Sequence, residues 1–243
     1  MKDNFSTQAK AYAQYRPYYP PEMISYIVSL VPHKDTALDV ATGNGQVAAA
    51  LASYFKEVYG TDISAKQLQN AKPAPNLIYK EGSAEDTGFA NEQFDLVTVA
   101  QAIHWFNFDA FYTEVRRILK PDGLLAVMGY GLFSTNPETD AIINHFYKDV
   151  IGPYWDAERR YVDDNYATIP FSFTEIETQK FTNHFTWTFD QLTGYLETWS
   201  AVQHYIKQNG ANPIDSIRAD LQASWEKNDK QVTFPLLLRI GKL

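Results

Sequence analysis

Two glycines and two acids, set at fixed intervals among apolar runs, carry the clearest chemistry in this 243-residue chain. In Ala37-Leu-Asp-Val-Ala-Thr-Gly-Asn-Gly-Gln-Val-Ala-Ala-Ala-Leu51 an apolar strand with one carboxylate, Asp39, passes through Ala41 into a turn at Gly43 and Gly45, then into an alanine-rich helix. Glycine accepts positive φ and lets the backbone approach a ligand closely, while the first amides of the helix face that ligand. Nineteen residues after Gly43, the run Val58-Tyr-Gly-Thr-Asp62 ends on the second acid. A carboxylate in that place can accept both hydrogen bonds of a ribose diol. The arrangement reads as a nucleotide-cofactor loop.

Two cofactor classes share such a loop, and Gly43-Asn-Gly45-Gln-Val-Ala48 fits the G-x-G-x-x-G/A dinucleotide pattern. Asp39 argues against NAD, because a carboxylate beside the loop repels a pyrophosphate and is costly to bury unpaired. S-adenosylmethionine fits better: it has no phosphate and carries a positive sulfonium and a positive ammonium. The plainer readings are that Asp39 caps a loop amide and that the glycines form an ordinary strand-to-helix turn.

Composition narrows the class of partner. With 45% hydrophobic and 15% aromatic residues, the chain can bury a substantial core as one domain. Twenty-nine acids against 21 Lys plus Arg leave a net charge of −8, which disfavours a nucleic-acid backbone as main partner and favours small-molecule chemistry. There is no cysteine, so no thiolate zinc site and no disulfide framework; no metal is expected. Met1-Lys-Asp-Asn-Phe-Ser6 has no apolar core of a secretion signal, and no stretch approaches the roughly 20 apolar residues that span a bilayer. The expectation is a cytoplasmic protein that engages neither membrane nor nucleic acid. The oligomeric state stays open.

The elements that must position these residues follow from hydrophobic periodicity. Strand-like runs at Thr36–Val40, Glu57–Thr61, Leu77–Glu81, Phe94–Ala100 and Gly123–Met128 alternate with helical patterns, which predicts a parallel sheet covered on both faces. Pro21–Leu30 opens as a helix with proline in its first turn, and Phe111–Leu119 reads as another that stops before Lys120-Pro-Asp-Gly123. Beyond Tyr130 the order changes: Asn136–Ile151 and Gln191–Gln208 look helical, Glu175–Trp187 and Val232–Ile240 look like late strands. The interruption at 133–172 is the place for a lid.

On five ordered motifs the chain resembles the class I S-adenosylmethionine-dependent methyltransferases, over about residues 1 to 130. These motifs are Leu38-Asp-Val-Ala-Thr-Gly-Asn-Gly45, the acidic Tyr59-Gly-Thr-Asp-Ile63, the adenine-edge loop Gly82-Ser-Ala-Glu-Asp-Thr-Gly-Phe89, Phe94-Asp-Leu-Val-Thr-Val99 and Leu119-Lys-Pro-Asp-Gly-Leu-Leu125. Within that family it is similar to the small-molecule branch around trans-aconitate methyltransferase, by Tyr15-Arg-Pro-Tyr-Tyr-Pro20, Ala102-Ile-His-Trp-Phe106 and Thr198-Trp-Ser-Ala201. Two positions depart from the pattern: Thr42 stands where many members have cysteine, and Ser83 where many have aspartate facing the adenine amine.

The resemblance implies a three-layer, doubly wound α/β fold, with a mostly parallel seven-stranded sheet, an antiparallel last strand and a helical lid inserted between late strands. It divides a single domain over 1–243 into a cofactor half with an N-terminal cover (1–132), the lid (133–172) and closing strands and helices (173–243). For S-adenosyl-L-methionine it implies Asp39, Ala41, Gly43 and Gly45 around the methionyl part, and Ala100 and Gln101 at its ammonium. Arg16 meets its carboxylate, Asp62 the ribose, Ile63 the adenine face, and Ser83 and Ala84 the adenine edge. His104, after the fourth strand, is the candidate base or hydrogen bonder. Trp105, Tyr130 and Trp155 are candidate acceptor walls, with Trp199 and His204 further ones, and Arg159 and Arg160 a candidate clamp for a carboxylate acceptor. Competing with each are a packed histidine, a solvated Arg16, a solvated acidic turn at Glu85 and Asp86, and surface pairs of the two arginines with Glu158, Asp163 or Asp164. The activity implied is methyl transfer to a small molecule, with oxygen slightly preferred. A cofactor-binding protein without turnover and an NAD-dependent oxidoreductase are the alternatives.

Overall fold

The computed structural model describes residues 15–243, so Met1–Ser6 and the start of the expected N-terminal cover lie outside the described residues. After α1 (Pro21–Ser29) the chain alternates β1 (Thr36–Val40), α2 (Gln46–Leu51), β2 (Glu57–Asp62), α3 (Ala65–Gln69), β3 (Leu77–Glu81) and β4 (Phe94–Ala100). Then come α4 (Phe108–Ile118) and the long β5 (Leu119–Tyr130). These strands pair in parallel, in the order β3-β2-β1-β4-β5. The residues explain the centre of the sheet. Phe94-Asp-Leu-Val-Thr-Val-Ala100 has no exposed position and no proline, as a parallel strand covered on both faces requires. Its one acid, Asp95, accepts the Asp35 and Thr36 amides and the Lys120 ammonium, all within 3.0 Å.

The second half is helix-rich: α5 (Pro137–His145), a wider turn at Phe146–Val150, α6 (Arg159–Asp163), two short strands β6 (Thr174–Ile176) and β7 (Thr182–Thr186), and α7 (Phe189–Glu197). It closes with α8 (Ser200–Asn209), α9 (Arg218–Glu226) and β8 (Gln231–Lys242). β8 runs antiparallel to β5, completing a seven-strand path β3-β2-β1-β4-β5-β8-β6, and β7 pairs with β8 beside that path. The architecture is the expected α/β sheet with its antiparallel last strand. Three apolar clusters fill it: one on each face of the parallel sheet and a third, rich in aromatics, around Trp199, Trp225 and Phe234.

Three element expectations change in detail. The late strand read over Glu175–Trp187 is two strands, separated by an unpaired stretch. The helix read over Gln191–Gln208 is two helices, because the Thr198 hydroxyl turns back to the Tyr195 carbonyl at 2.6 Å and Trp199 is extended. The turn read at Lys120-Pro-Asp-Gly123 lies inside β5, whose pairing with β4 is irregular between Phe94 and Leu96. Among the described residues no helix is long and apolar enough to cross a membrane.

Candidate active site

The parallel strands all end on one edge, and there the candidate residues collect. Asp39 is the penultimate residue of β1, Asp62 the last of β2, Gln101 follows β4 and Tyr130 ends β5. The β1–α2 connection is a left-handed staircase: Ala41, Gly43 and Gly45 have φ of 53°, 56° and 74°. A Cβ at Gly43 would meet nothing within 4 Å, so this glycine is set by conformation, whereas one at Gly45 would sit 1.9 Å from the Tyr79 hydroxyl. Ala41 holds the same conformation at a steric cost, which marks the loop as over-determined by its surroundings.

Asp39 lies beneath this loop, 1% exposed, and accepts from the Thr42 hydroxyl at 2.6 Å and the Thr98 hydroxyl at 2.7 Å. Burial nevertheless pushes its carboxyl up to about 6, against the pull of hydrogen bonds from Thr42, Thr98 and the Ala48 amide and with the nearby charge of Asp62 adding to the rise. Such a carboxylate is short of a cation. Asp62 does two jobs in the backbone: Oδ2 accepts the Gly43 amide and Oδ1 the Ser64 amide, both at 2.9 Å. It therefore clamps the glycine loop to the end of β2.

A cavity open to solvent lies over the loop, lined by Asp39, Ala41, Gly43, Ala100, Gln101 and Arg16 among others. Tyr130 forms part of this wall, and its hydroxyl accepts from Arg16 Nη1 at 3.0 Å. Arg16 Nη2 donates to the Thr198 carbonyl at 3.0 Å, so the segment before α1 is tied across the top of the sheet. Gln101 is the second non-glycine residue here with positive φ, 53°, and its amide brackets Tyr130: Nε2 donates to the Tyr130 carbonyl and Oε1 accepts the Tyr130 amide. Gly45, Asp62, Ile63, Ser83 and Ala84 are outside the wall of this cavity. Gly45 caps α2, Ile63 is half-buried beside Asp62, Ala84 is buried, and the Ser83 hydroxyl donates to Glu85. Glu85 is more than a solvated acid, since it also accepts the Asn107 amide at 3.1 Å and joins two loops; Asp86 is exposed.

A second cavity shares Arg16 and Gln101 with the first and adds His104, Trp105, Trp155, Arg159, Trp199 and Ser200. His104 is 6% exposed, with Nδ1 3.3 Å from the Tyr166 hydroxyl and its ring 4.8 Å from that of Trp105. Burial, reinforced by the charges of Arg159 and Arg16, lowers its pKa to about 3, so at neutral pH it is an uncharged imidazole and a weak base. Arg159 stacks over Trp155, its Cζ 4.7 Å from the ring centroid.

The two arginines separate. Arg159 lines the cavity, while Arg160 is exposed and donates to the Tyr161 hydroxyl, because neighbours on a helix point in directions about 100° apart. His204 is outside this wall too, bonded to the Tyr154 carbonyl at 3.0 Å. Sequence reasoning missed Tyr19, Asn44, Gln46 and Ser200 as wall residues, and it missed Tyr147 behind Arg159. The aromatic spacing around Tyr147 was the available signal, but it is equally the signature of a core.

The parallel sheet, its antiparallel strand and the acid-floored glycine loop define a Rossmann-like domain of the methyltransferase type. The methyltransferase domain family matches residues 38–127. A Dictyostelium discoideum protein assigned as a methyltransferase is 33% identical over 249 residues, which cover 99% of this chain and 95% of that one. A Saccharomyces cerevisiae protein assigned as S-adenosylmethionine-dependent is 26% identical over 251 residues, 86% and 84% of the two chains. A solved structure from Anaeromyxobacter dehalogenans, assigned as a type II methyltransferase, aligns with a TM-score of 0.85 at 35% identity, covering 94% of this chain and 98% of that one. The chain belongs to the class I S-adenosylmethionine-dependent methyltransferases.

Proposed function

We propose that this methyltransferase binds S-adenosylmethionine in the cavity over the glycine loop and methylates a small anionic oxygen nucleophile, a carboxylate first of all, seated in the second cavity. One observation carries this reading: the two cavities meet at a common wall of Arg16 and Gln101, so a donor in one and an acceptor in the other lie side by side. The donor supplies a carbon already activated by its sulfonium leaving group, and the protein's task is alignment and exclusion of water. Asp39 offers the negative charge that a cationic methionyl group needs, and Arg16 is placed for its carboxylate. Ala100 and Gln101 present backbone to its ammonium. Asp62 takes the ribose through lone pairs left over from the Gly43 and Ser64 amides. Ile63 packs on the adenine, and Ser83 and Ala84 read its edge.

The charge and basicity of the second cavity favour a carboxylate over an amine. Two arginines repel an ammonium, and a neutral amine requires a base that the depressed His104 supplies poorly. A carboxylate arrives deprotonated, so His104 need only donate or accept a hydrogen bond while Trp105, Trp155 and Trp199 exclude water. The segment 133–172, which brings Trp155 and Arg159, is the lid of the single domain in this reading. The likeness to the trans-aconitate branch points to the same acceptor class, and the net charge of −8 points away from nucleic acid.

Calorimetric titration with S-adenosylhomocysteine and NAD tests the donor site; tighter binding of NAD would sink it. A radiolabelled methyl assay over matched acids, alcohols and amines tests the acceptor, and label appearing chiefly on amines would reject the carboxylate.

A further inference from the structure

Arg159 lines the acceptor cavity, and one nitrogen of its guanidinium is engaged by the protein. Its Nε donates to the Tyr147 hydroxyl at 2.7 Å and to Asp163 Oδ1 at 3.1 Å. Its terminal nitrogens, Nη1 and Nη2, make no hydrogen bond among the described residues. The direction of each proton is fixed, because a guanidinium only donates: the Tyr147 oxygen accepts from Arg159 and sends its own proton to Asp163 Oδ1, 2.6 Å away. Burial holds the tyrosine pKa above its usual value, with Asp163 adding to the rise, so the hydroxyl stays a donor.

Tyr147 belongs to the turn after α5, whereas Arg159 and Asp163 lie one turn apart on α6. The hydroxyl therefore joins two segments of the cavity wall. Its ring is 8% exposed and packs 4.9 Å from Trp155 and 5.5 Å from Trp199, both of which line the cavity. With Nε engaged by Tyr147 and Asp163 and Cζ over the Trp155 ring, the donors of Arg159 that remain for a ligand at this stretch of cavity wall are those of the Nη1–Nη2 fork. That fork matches the two oxygens of a planar carboxylate.

We propose that Tyr147 and Asp163 are positioning residues for acceptor recognition: by holding Nε they aim the terminal fork of Arg159 at a planar oxyanion lying between the tryptophans. This rests on the anionic-acceptor reading above. Its test uses the full chain saturated with S-adenosylhomocysteine, titrated calorimetrically with benzoate and with benzamide, which share a shape and differ in charge. The parent, Tyr147→Phe, Arg159→Ala and the double variant are compared. The expected result is that Tyr147→Phe, which keeps the ring, weakens benzoate about five- to tenfold, leaves benzamide within about twofold, and adds nothing once Arg159 is Ala. Equal losses for both probes, or a loss that persists in the Arg159→Ala background, would reduce Tyr147 to packing and overturn the inference. If instead Arg159→Ala leaves benzoate binding unchanged, or the parent does not distinguish the two probes, the anionic-acceptor reading fails and takes the inference with it.

Discussion

Asp39 and His104 are both buried beside the proposed chemistry, and burial moves them in opposite directions across the acid range. Asp39 is raised from 3.8 to about 6, so between those values the native state holds the proton more tightly and stability falls as pH rises. His104 is lowered from 6.5 to about 3, so its neutral packing is fully present above the unfolded value and is lost as pH falls toward 3. A bound ammonium favours ionised Asp39, which ties cofactor affinity to pH. S-adenosylhomocysteine affinity is expected to fall up to about tenfold between about pH 7 and pH 5. Asp39→Asn should flatten that profile in calorimetric titration; an unchanged slope in the variant would detach Asp39 from the ligand. For Asp62 the geometry adds a cost that sequence reasoning omits. Asp62→Ala should weaken the cofactor by on the order of 2 to 4 kcal/mol. It should also lower the melting temperature, since the Gly43 and Ser64 amides lose their acceptor. A variant that melts with the parent and binds within about threefold of it would remove Asp62 from the ribose role.

At the scale of elements, the glycine loop works because β3 reaches under it. The Tyr79 ring packs against Gly45 and Gly60, and its hydroxyl donates to the Lys72 carbonyl at 2.6 Å. Gly45→Ala must therefore strain a residue at φ 74° and displace that tyrosine, at about 1 to 3 kcal/mol of stability by urea denaturation. Pairing it with Tyr79→Ala should recover part of the loss, and an additive pair would refute the contact. None of this is written in the glycine spacing alone, which shows that a turn occurs but not what lies beneath it. The strands β1, β3 and β4 were legible to the residue: β1 and β4 are largely buried, mostly apolar runs, whereas β3, with no buried position, opens on the apolar Leu77-Ile-Tyr79 and stops before Gly82. The helix-rich half was less so. A break such as Thr198–Trp199 depends on one hydroxyl finding a carbonyl, and α9, with Asp220, Gln222 and Ser224 in its run, has little apolar period to detect. Of the residues expected around the cofactor, Arg16, Asp39, Ala41, Gly43, Ala100 and Gln101 line the first cavity, whereas Gly45, Asp62, Ile63, Ser83 and Ala84 stand outside its wall. The wall of the second cavity was named from the sequence except for Ser200, whereas Tyr147, behind Arg159, was not, because such a residue looks in sequence like any aromatic core.

On the scale of the whole molecule, the two cavities are separate in lining yet joined through Arg16, which reaches from the segment before α1 to the end of β5 and to the break between α7 and α8. That geometry makes three arginines distinguishable by what each variant loses. Arg16→Ala removes a cation from both cavities and should weaken S-adenosylhomocysteine and raise the acceptor KM together, each by about tenfold or more. Arg159→Ala removes a cation from the second cavity alone. It should raise the KM of an anionic acceptor about ten- to a hundredfold while leaving cofactor affinity within about twofold of the parent. Arg160→Ala, on the exposed side of α6, should change neither, as surface pairs typically contribute less than about 1 kcal/mol. Calorimetry with S-adenosylhomocysteine and steady-state rates with a carboxylic acid acceptor give both readouts on the same preparations. Should Arg159→Ala weaken the cofactor as much as Arg16→Ala does, the two cavities would be one pocket holding a single ligand, and the side-by-side placement of donor and acceptor would have to be abandoned.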